Sequence, residues 1–207
     1  MKDNNYGVVT NWNYVTLSLV IVVALTLAVM YMPGLREFDM AMLKSIRKFL
    51  GQFPSYIPVF FSGYTGAANF LWPQIAACSV LISHRKFLKA FLLVFFTQGS
   101  YVLVDYVIKT FVCRERPCIH PGYSFPSGHT TVNACFFGIL IYLVLTHTRS
   151  PFWRTFLVVF FGLMVFMVGI SRLWLGVHFP TDVIAGLFLG IMLANLYAIL
   201  DKFFSKR

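Results

Sequence analysis

The sequence predicts an all-α, polytopic membrane protein with six transmembrane helices and one short interfacial amphipathic helix, forming a single domain over residues 1–207. Three observations predict it. Of the 207 residues, 58% are hydrophobic and only 12% are charged, where soluble domains carry about 25% charged residues. Apolar runs of about 20 residues, the length that crosses a bilayer, recur along the chain between polar turns. Lys and Arg gather in those turns, so the net charge of +10 serves topology and anionic headgroups, and no nucleic-acid partner is expected.

The first apolar run, residues 14–32, is long enough to span and is stopped by Pro33-Gly34. The segment before it is polar with little positive charge, and no small-residue cleavage pattern ends the run, so no cleavable signal peptide is expected. Over residues 36–51, Phe38, Met42, Leu43, Ile46, Phe49 and Leu50 recur at helical spacing with Arg36, Lys44, Arg47 and Lys48 on or beside the other face. That pattern predicts a helix lying in the membrane interface.

A broken stretch over residues 56–83 carries Pro58, Gly63, Gly66 and Pro73, and predicts one span from about Gly66 to Ser83 after an irregular lead-in. His84-Arg85-Lys86 and Lys89 mark the next turn. The third span, residues 87–108, contains Asp105, and an ionisable residue at that depth is a functional candidate. Asp105 and Lys109 stand four apart, on one helical face, so the carboxylate can pair with and aim the ammonium. Spans four, five and six are expected over residues 130–146, 155–170 and 183–200.

Six spans bring both termini to one side. The termini and the turns at 84–89 and 147–154 carry nine Lys and Arg, and the opposite side carries eight, of which three belong to the candidate site described next. The bias puts the termini in the cytoplasm and the site toward the periplasm or exterior of a bacterial inner membrane. Four cysteines make no disulfide framework. Cys78 and Cys135 read as small core hydrophobes. Cys113 and Cys118 flank Arg116, and a bridge between them is open if that side is oxidising. They lack a second pair at zinc-ligand spacing, so no metal is expected.

Polar, chemistry-bearing residues concentrate in two places. The first runs from Lys109 through Arg116-Pro117 to Pro126-Ser127-Gly128-His129, and the second holds Ser171-Arg172, His178 and Asp182. Lys109, Arg116 and Arg172 are three cations able to converge on one dianionic headgroup, arginine as a planar fork and lysine as a point charge. Ser127 is placed to cap a new helix, and Gly128 lets its backbone approach a ligand, so the helix start forms an anion cradle. Asp182 can accept the Nδ1 proton of His178, which leaves the Nε2 lone pair free to attack phosphorus. His129 is then available as general acid and base. His120 reads as a loop residue.

The three segments Lys109-x6-Arg116-Pro117, Pro126-Ser127-Gly128-His129 and Ser171-Arg172-x5-His178-x3-Asp182 resemble the tripartite signature of the type-2 phosphatidic acid phosphatase superfamily, the lipid phosphate phosphatases. The resemblance implies a metal-independent, cofactor-free phosphatase or diphosphatase working through a phosphohistidine intermediate. It assigns His178 as nucleophile, Asp182 as its partner and His129 as acid and base. Lys109, Arg116, Ser127, Gly128 and Arg172 would hold the phosphate of a membrane lipid. The signature does not separate phosphatidic acid, phosphatidylglycerophosphate, polyprenyl diphosphate and lipid A as substrates. Two further readings of the same residues are phosphoryl transfer to an acceptor lipid and phosphate binding without turnover.

Overall fold

The structure, a computed structural model, describes residues 12–64 and 70–205. Five helices in it are long and apolar enough to cross a membrane: α1 (Trp12–Tyr31), α5 (Phe87–Val112), α6 (Gly128–His147), α7 (Pro151–Trp174) and α8 (Pro180–Ser205). Three shorter ones join them: α2 (Leu35–Leu50), α3 (Tyr56–Tyr64) and α4 (Leu71–Ser83). The sequence predicts six spans; the five long helices correspond to the first and to the third to sixth, and the second falls on α3 and α4. α3 and α4 have 9 and 13 residues, each short of the roughly 20 that cross a bilayer. They stand on either side of residues 65–69, which lie outside the described residues, and they lead from the end of the bundle where Ser62 meets Arg172 to the chain turn at 84–86. The expected start of that span at Gly66 lies outside the described residues, as do Lys206 and Arg207.

The other spans are longer than expected. α7 begins at Pro151, which fills the first helical turn, and it continues past Ile170 to carry Ser171 and Arg172 on its last turn. α5 continues past Ile108 through a π-helical segment, Leu103–Ile108, that holds Asp105. Such a widened turn is frequent at functional sites. The charged ends of these helices remain helical because their backbone groups are satisfied within the helix, whatever the polarity of the side chains.

α6 and α8 form the central pair, flanked by α1, α5 and α7. Their backbones approach closely because the contact is made of small residues: a Cβ on Gly190 would lie 2.5 Å from the Ala134 Cβ, and one on Gly186 would lie 2.7 Å from the Ser127 carbonyl oxygen. Around this pair Leu93 and Phe96 of α5, Phe136, Ile139 and Tyr142 of α6, and Tyr197 of α8 form the main apolar core. Outward, Leu17, Val20, Phe91, Phe95, Phe156, Phe160 and Phe166 are exposed. That apolar surface suits acyl chains. At the end of the bundle that carries the chain turns at 84–86 and 148–150, Lys89 donates to Asp201 at 2.6 Å and Tyr142 donates to the same carboxylate oxygen at 2.9 Å.

α2 is the predicted interfacial helix, shifted by one residue. Its apolar residues divide between two surroundings. Leu43 packs with Leu173 and Phe179, joined by Met40, Ile46 and Val183, whereas Phe38, Met42 and Phe49 are exposed. The helix therefore lies across the ends of α7 and α8, with one apolar edge on the protein and the other outward.

Candidate active site

Chain direction brings the polar segments together. α5 and α7 run toward one end of the bundle, while α6 and α8 start there and run away. Lys109 is therefore in the last turn of α5, Arg116 in the loop after it, Ser127 to His129 at the start of α6, Arg172 in the last turn of α7, His178 in the next loop and Asp182 in the first turn of α8. A cavity of about 460 Å³ is lined there by Asp105, Lys109, Arg116, Gly128, His129, Arg172 and His178. Among the described residues, Lys109, Arg116 and Arg172 face it as cations and Asp105 as the one carboxylate.

Each cation is held by the backbone or by a neighbouring side chain. Lys109 pairs with Asp105, as the spacing predicts, on the π-helical turn. Arg116 donates through Nη1 to the Val177 carbonyl at 3.0 Å and through Nε to the Gly122 carbonyl at 3.2 Å. Arg172 donates to the Ser62 hydroxyl of α3. Its Nε is buried with no hydrogen-bond partner among the described residues. An anion entering the cavity would supply one.

His178 is 1% exposed. Arg116 Nη1 lies 3.2 Å from its Nε2. A guanidinium can only donate, so Nε2 is the acceptor and the neutral ring carries its proton on Nδ1. Nδ1 faces Asp182 Oδ2 at 3.5 Å. That is close enough for attraction and too long for a hydrogen bond. The expected bond between them is therefore not made. Asp182 is already engaged: its Oδ2 accepts the Phe179 N–H at 2.8 Å and its Oδ1 accepts Arg114 Nη1 at 2.6 Å. Burial pushes the His178 imidazole down to about 4, opposed by Asp182 and reinforced by Arg116 and Arg172.

Arg114 and Asp39 are absent from the sequence-based site. Arg114 Nη2 donates to Asp39 Oδ2 at 2.6 Å, and its Nη1 also donates to the Thr181 hydroxyl at 2.7 Å. The guanidinium lies 4.2 Å from the centroid of the Phe179 ring. The Thr181 hydroxyl also donates to Asp39. Asp39 comes from α2, and its side chain is fully buried. A signal was present in the chain: Asp39 interrupts the apolar edge of an amphipathic helix, and Arg114 stands two residues before Arg116.

The predicted residues fall into two groups. Lys109, Arg116, Gly128, His129, Arg172 and His178 line the cavity together with Asp105, whereas Asp182 lies behind His178. Ser127 is fully buried and occupies the position before α6, but its side chain makes no capping bond; its hydroxyl accepts one from Thr130 at 2.9 Å. Its backbone contributes more, since the Ser127 N–H donates to the Asp182 carbonyl at 3.0 Å and ties the start of α6 to that of α8. His120, read as a loop residue, is on the cavity wall with Gln98 and Tyr101 of α5. Cys113 and Cys118 are free, exposed thiols. Among the described residues no cluster of three or more His, Cys, Asp or Glu is placed to hold a metal ion.

The model of the PAP2 superfamily matches residues 118–205. Phosphatidylglycerophosphatase B of Bacillus subtilis is 34% identical over 148 residues, covering 67% of this chain and 71% of the relative. Undecaprenyl-diphosphatase of Sulfolobus acidocaldarius is 27% identical over 150 residues, covering 67% of this chain and 66% of the relative. Among solved structures, the transmembrane PAP2 type phosphatidylglycerolphosphate phosphatase from Bacillus subtilis superposes with a TM-score of 0.73 at 27% identity, over 92% of this chain and 95% of that one.

Proposed function

The chain belongs to the type-2 phosphatidic acid phosphatase (PAP2) superfamily, and from that premise we propose that it is an integral membrane phosphatase that hydrolyses the terminal phosphate of a membrane lipid through a phosphohistidine. One observation carries the reading. Three cations and one carboxylate leave two positive charges facing a cavity that also holds the imidazoles of His120, His129 and His178, which complements the dianion of a lipid phosphomonoester.

The chemistry follows from the positions. The lipid phosphate displaces the Arg116 guanidinium from His178 Nε2 and takes it, with Lys109 and Arg172, as its own counter-ions. The freed Nε2 lone pair attacks phosphorus, the bond to the leaving lipid oxygen breaks, and His129 donates a proton to that oxygen. His129 then removes a proton from water. The resulting hydroxide attacks phosphorus, the P–N bond breaks, and inorganic phosphate leaves with His178 restored. The three cations and the N-terminal N–H groups of α6 stabilise the charge on the equatorial oxygens at both steps.

Phe70, Val132 and Tyr101 make the apolar side of the same cavity and accommodate the first carbons of the lipid tail. Phosphatidylglycerophosphate is the substrate proposed first, because a relative and a superposed structure both carry that activity in their names. We place the site on the outward membrane face with both termini in the cytoplasm. The excess of Lys and Arg at the termini and in the turns at 84–89 and 147–154 supports that orientation.

Phosphate release from purified protein tests the reading, with phosphatidylglycerophosphate, phosphatidic acid, undecaprenyl diphosphate and lipid A presented at equal surface density. Turnover of phosphatidylglycerophosphate ahead of the others is the expected result. A panel yielding no phosphate from any lipid, or labelled phosphate appearing only on an acceptor lipid, would overturn hydrolysis.

A further inference from the structure

We propose that Arg114 and Asp39 are positioning residues for the nucleophile, through which the interfacial helix α2 sets the orientation and the charge of Asp182 beside His178. The inference rests on the reading of His178 as nucleophile. Its observation is a buried chain of ionic contacts from α2 to α8, with Arg114 at its centre making 2.6 Å bonds to Asp39 and to Asp182. The two carboxylate side chains are fully buried and the guanidinium side chain is 8% exposed.

Both oxygens of Asp182 are engaged by groups other than His178. Its place 3.5 Å from Nδ1 is therefore fixed by Arg114 and the Phe179 N–H. Arg114 is fixed in turn by Asp39, whose oxygens also take the Thr181 hydroxyl and, at 3.4 Å, the Thr181 N–H. Asp39 is held there by docking of α2, since Leu43 packs on Leu173 and Phe179 and Arg47 Nε donates to the Trp174 carbonyl at 3.3 Å. These contacts brace the loop that presents His178.

The charges make the idea testable. Asp39, Arg114 and Asp182 sum to one net negative charge next to Nδ1, the counter-charge for the positive ring formed when Nε2 is phosphorylated. Arg114→Gln raises that to two, so the His178 imidazolium becomes more favourable. Asp39→Asn brings it to zero, with the opposite effect. The double variant returns it to one. The other charged or titratable groups lining the cavity with His178 are Arg116 and His120 of the loop, Arg172 of α7, His129 of α6, and Tyr101 and the Lys109–Asp105 pair of α5, and none of them is altered.

The experiment follows the His178 midpoint by [15N]histidine NMR in detergent micelles, alongside the pH profile of kcat/KM. Arg114→Gln is expected to move the midpoint up by about one pH unit and Asp39→Asn to move it down, with the double variant near wild type. Arg114→Lys restores the midpoint but leaves kcat about 100-fold low, because an ammonium cannot fork to two carboxylates. Unmoved midpoints, or shifts of both single variants in one direction, would overturn the inference. Should Arg114→Gln not fold, Asp39→Asn alone decides, since an unchanged or raised midpoint refutes the charge argument. A wild-type protein without phosphatase activity but with opposite shifts would refute the proposed function and leave the positioning of Asp182 standing.

Discussion

Arg116 Nη1 stands 3.2 Å from His178 Nε2, so in the proposed reaction the atom that would attack phosphorus is occupied by a residue that would also bind the phosphate. The contact keeps the imidazole in the tautomer with its proton on Nδ1, because an arginine cannot accept a proton from the ring. A phosphate that takes the guanidinium frees the lone pair at the same moment.

His178→Ala is expected to abolish phosphate release, by 10³-fold or more on the order of other nucleophile removals, while the protein still purifies as a monodisperse species. Alkaline quenching with 32P-labelled substrate checks the covalent step. Label should appear on the wild-type chain and on His129→Ala, whose dephosphorylation is slowed, and be absent from His178→Ala. Label persisting on His178→Ala would remove the nucleophile assignment.

The pH dependence has a defined sign. Burial pushes His178 down to about 4 from its ordinary 6.5, so the neutral, nucleophilic ring predominates in the folded protein above about 4. Once kcat/KM is corrected for the dianionic fraction of substrate, whose second ionisation is near 6, the acid limb due to His178 should fall near 4. Stability has the same direction. Between 6.5 and 4 the unfolded chain binds this proton and the folded one does not, so the contribution of His178 to stability declines as pH falls through that window. Thermal unfolding in detergent across pH 4 to 7 measures it.

Gly190→Ala adds a Cβ only 2.5 Å from the Ala134 Cβ and 2.6 Å from the Thr131 carbonyl oxygen. Backbone cannot yield there without separating α6 from α8, so a loss of about 1–3 kcal/mol is expected, read as a lower unfolding temperature. Ser127 and Asp182 begin these two helices, so the same variant should also lower kcat.

Asp201→Ala leaves the Lys89 ammonium without its partner at 2.6 Å and the Tyr142 hydroxyl without its acceptor. Breaking a buried pair from one side costs about 3–5 kcal/mol. This cluster lies at the opposite end of α8 from Asp182, so the folded fraction should keep its kcat. Activity normalised to folded protein distinguishes this from damage at the site.

Composition and periodicity by themselves determined the long apolar helices, the interfacial helix and which end of each carries charge, because bilayer-scale apolar length and 3.6-residue spacing are local properties. They also determined that Asp105 aims Lys109, an i,i+4 relation within one helix. What only the tertiary structure decided involves residues distant along the chain. The approach of α6 to α8 through glycine is of this kind. So is the engagement of Asp182 by Arg114 and by the Phe179 N–H in place of the expected bond to His178. Asp39 and Arg114 are 75 residues apart, and nothing local in the sequence says that a carboxylate on an interfacial helix and a loop guanidinium will be buried against one another. That pairing exists because two charges removed from water must find each other, and only the packed helices fix which two they are.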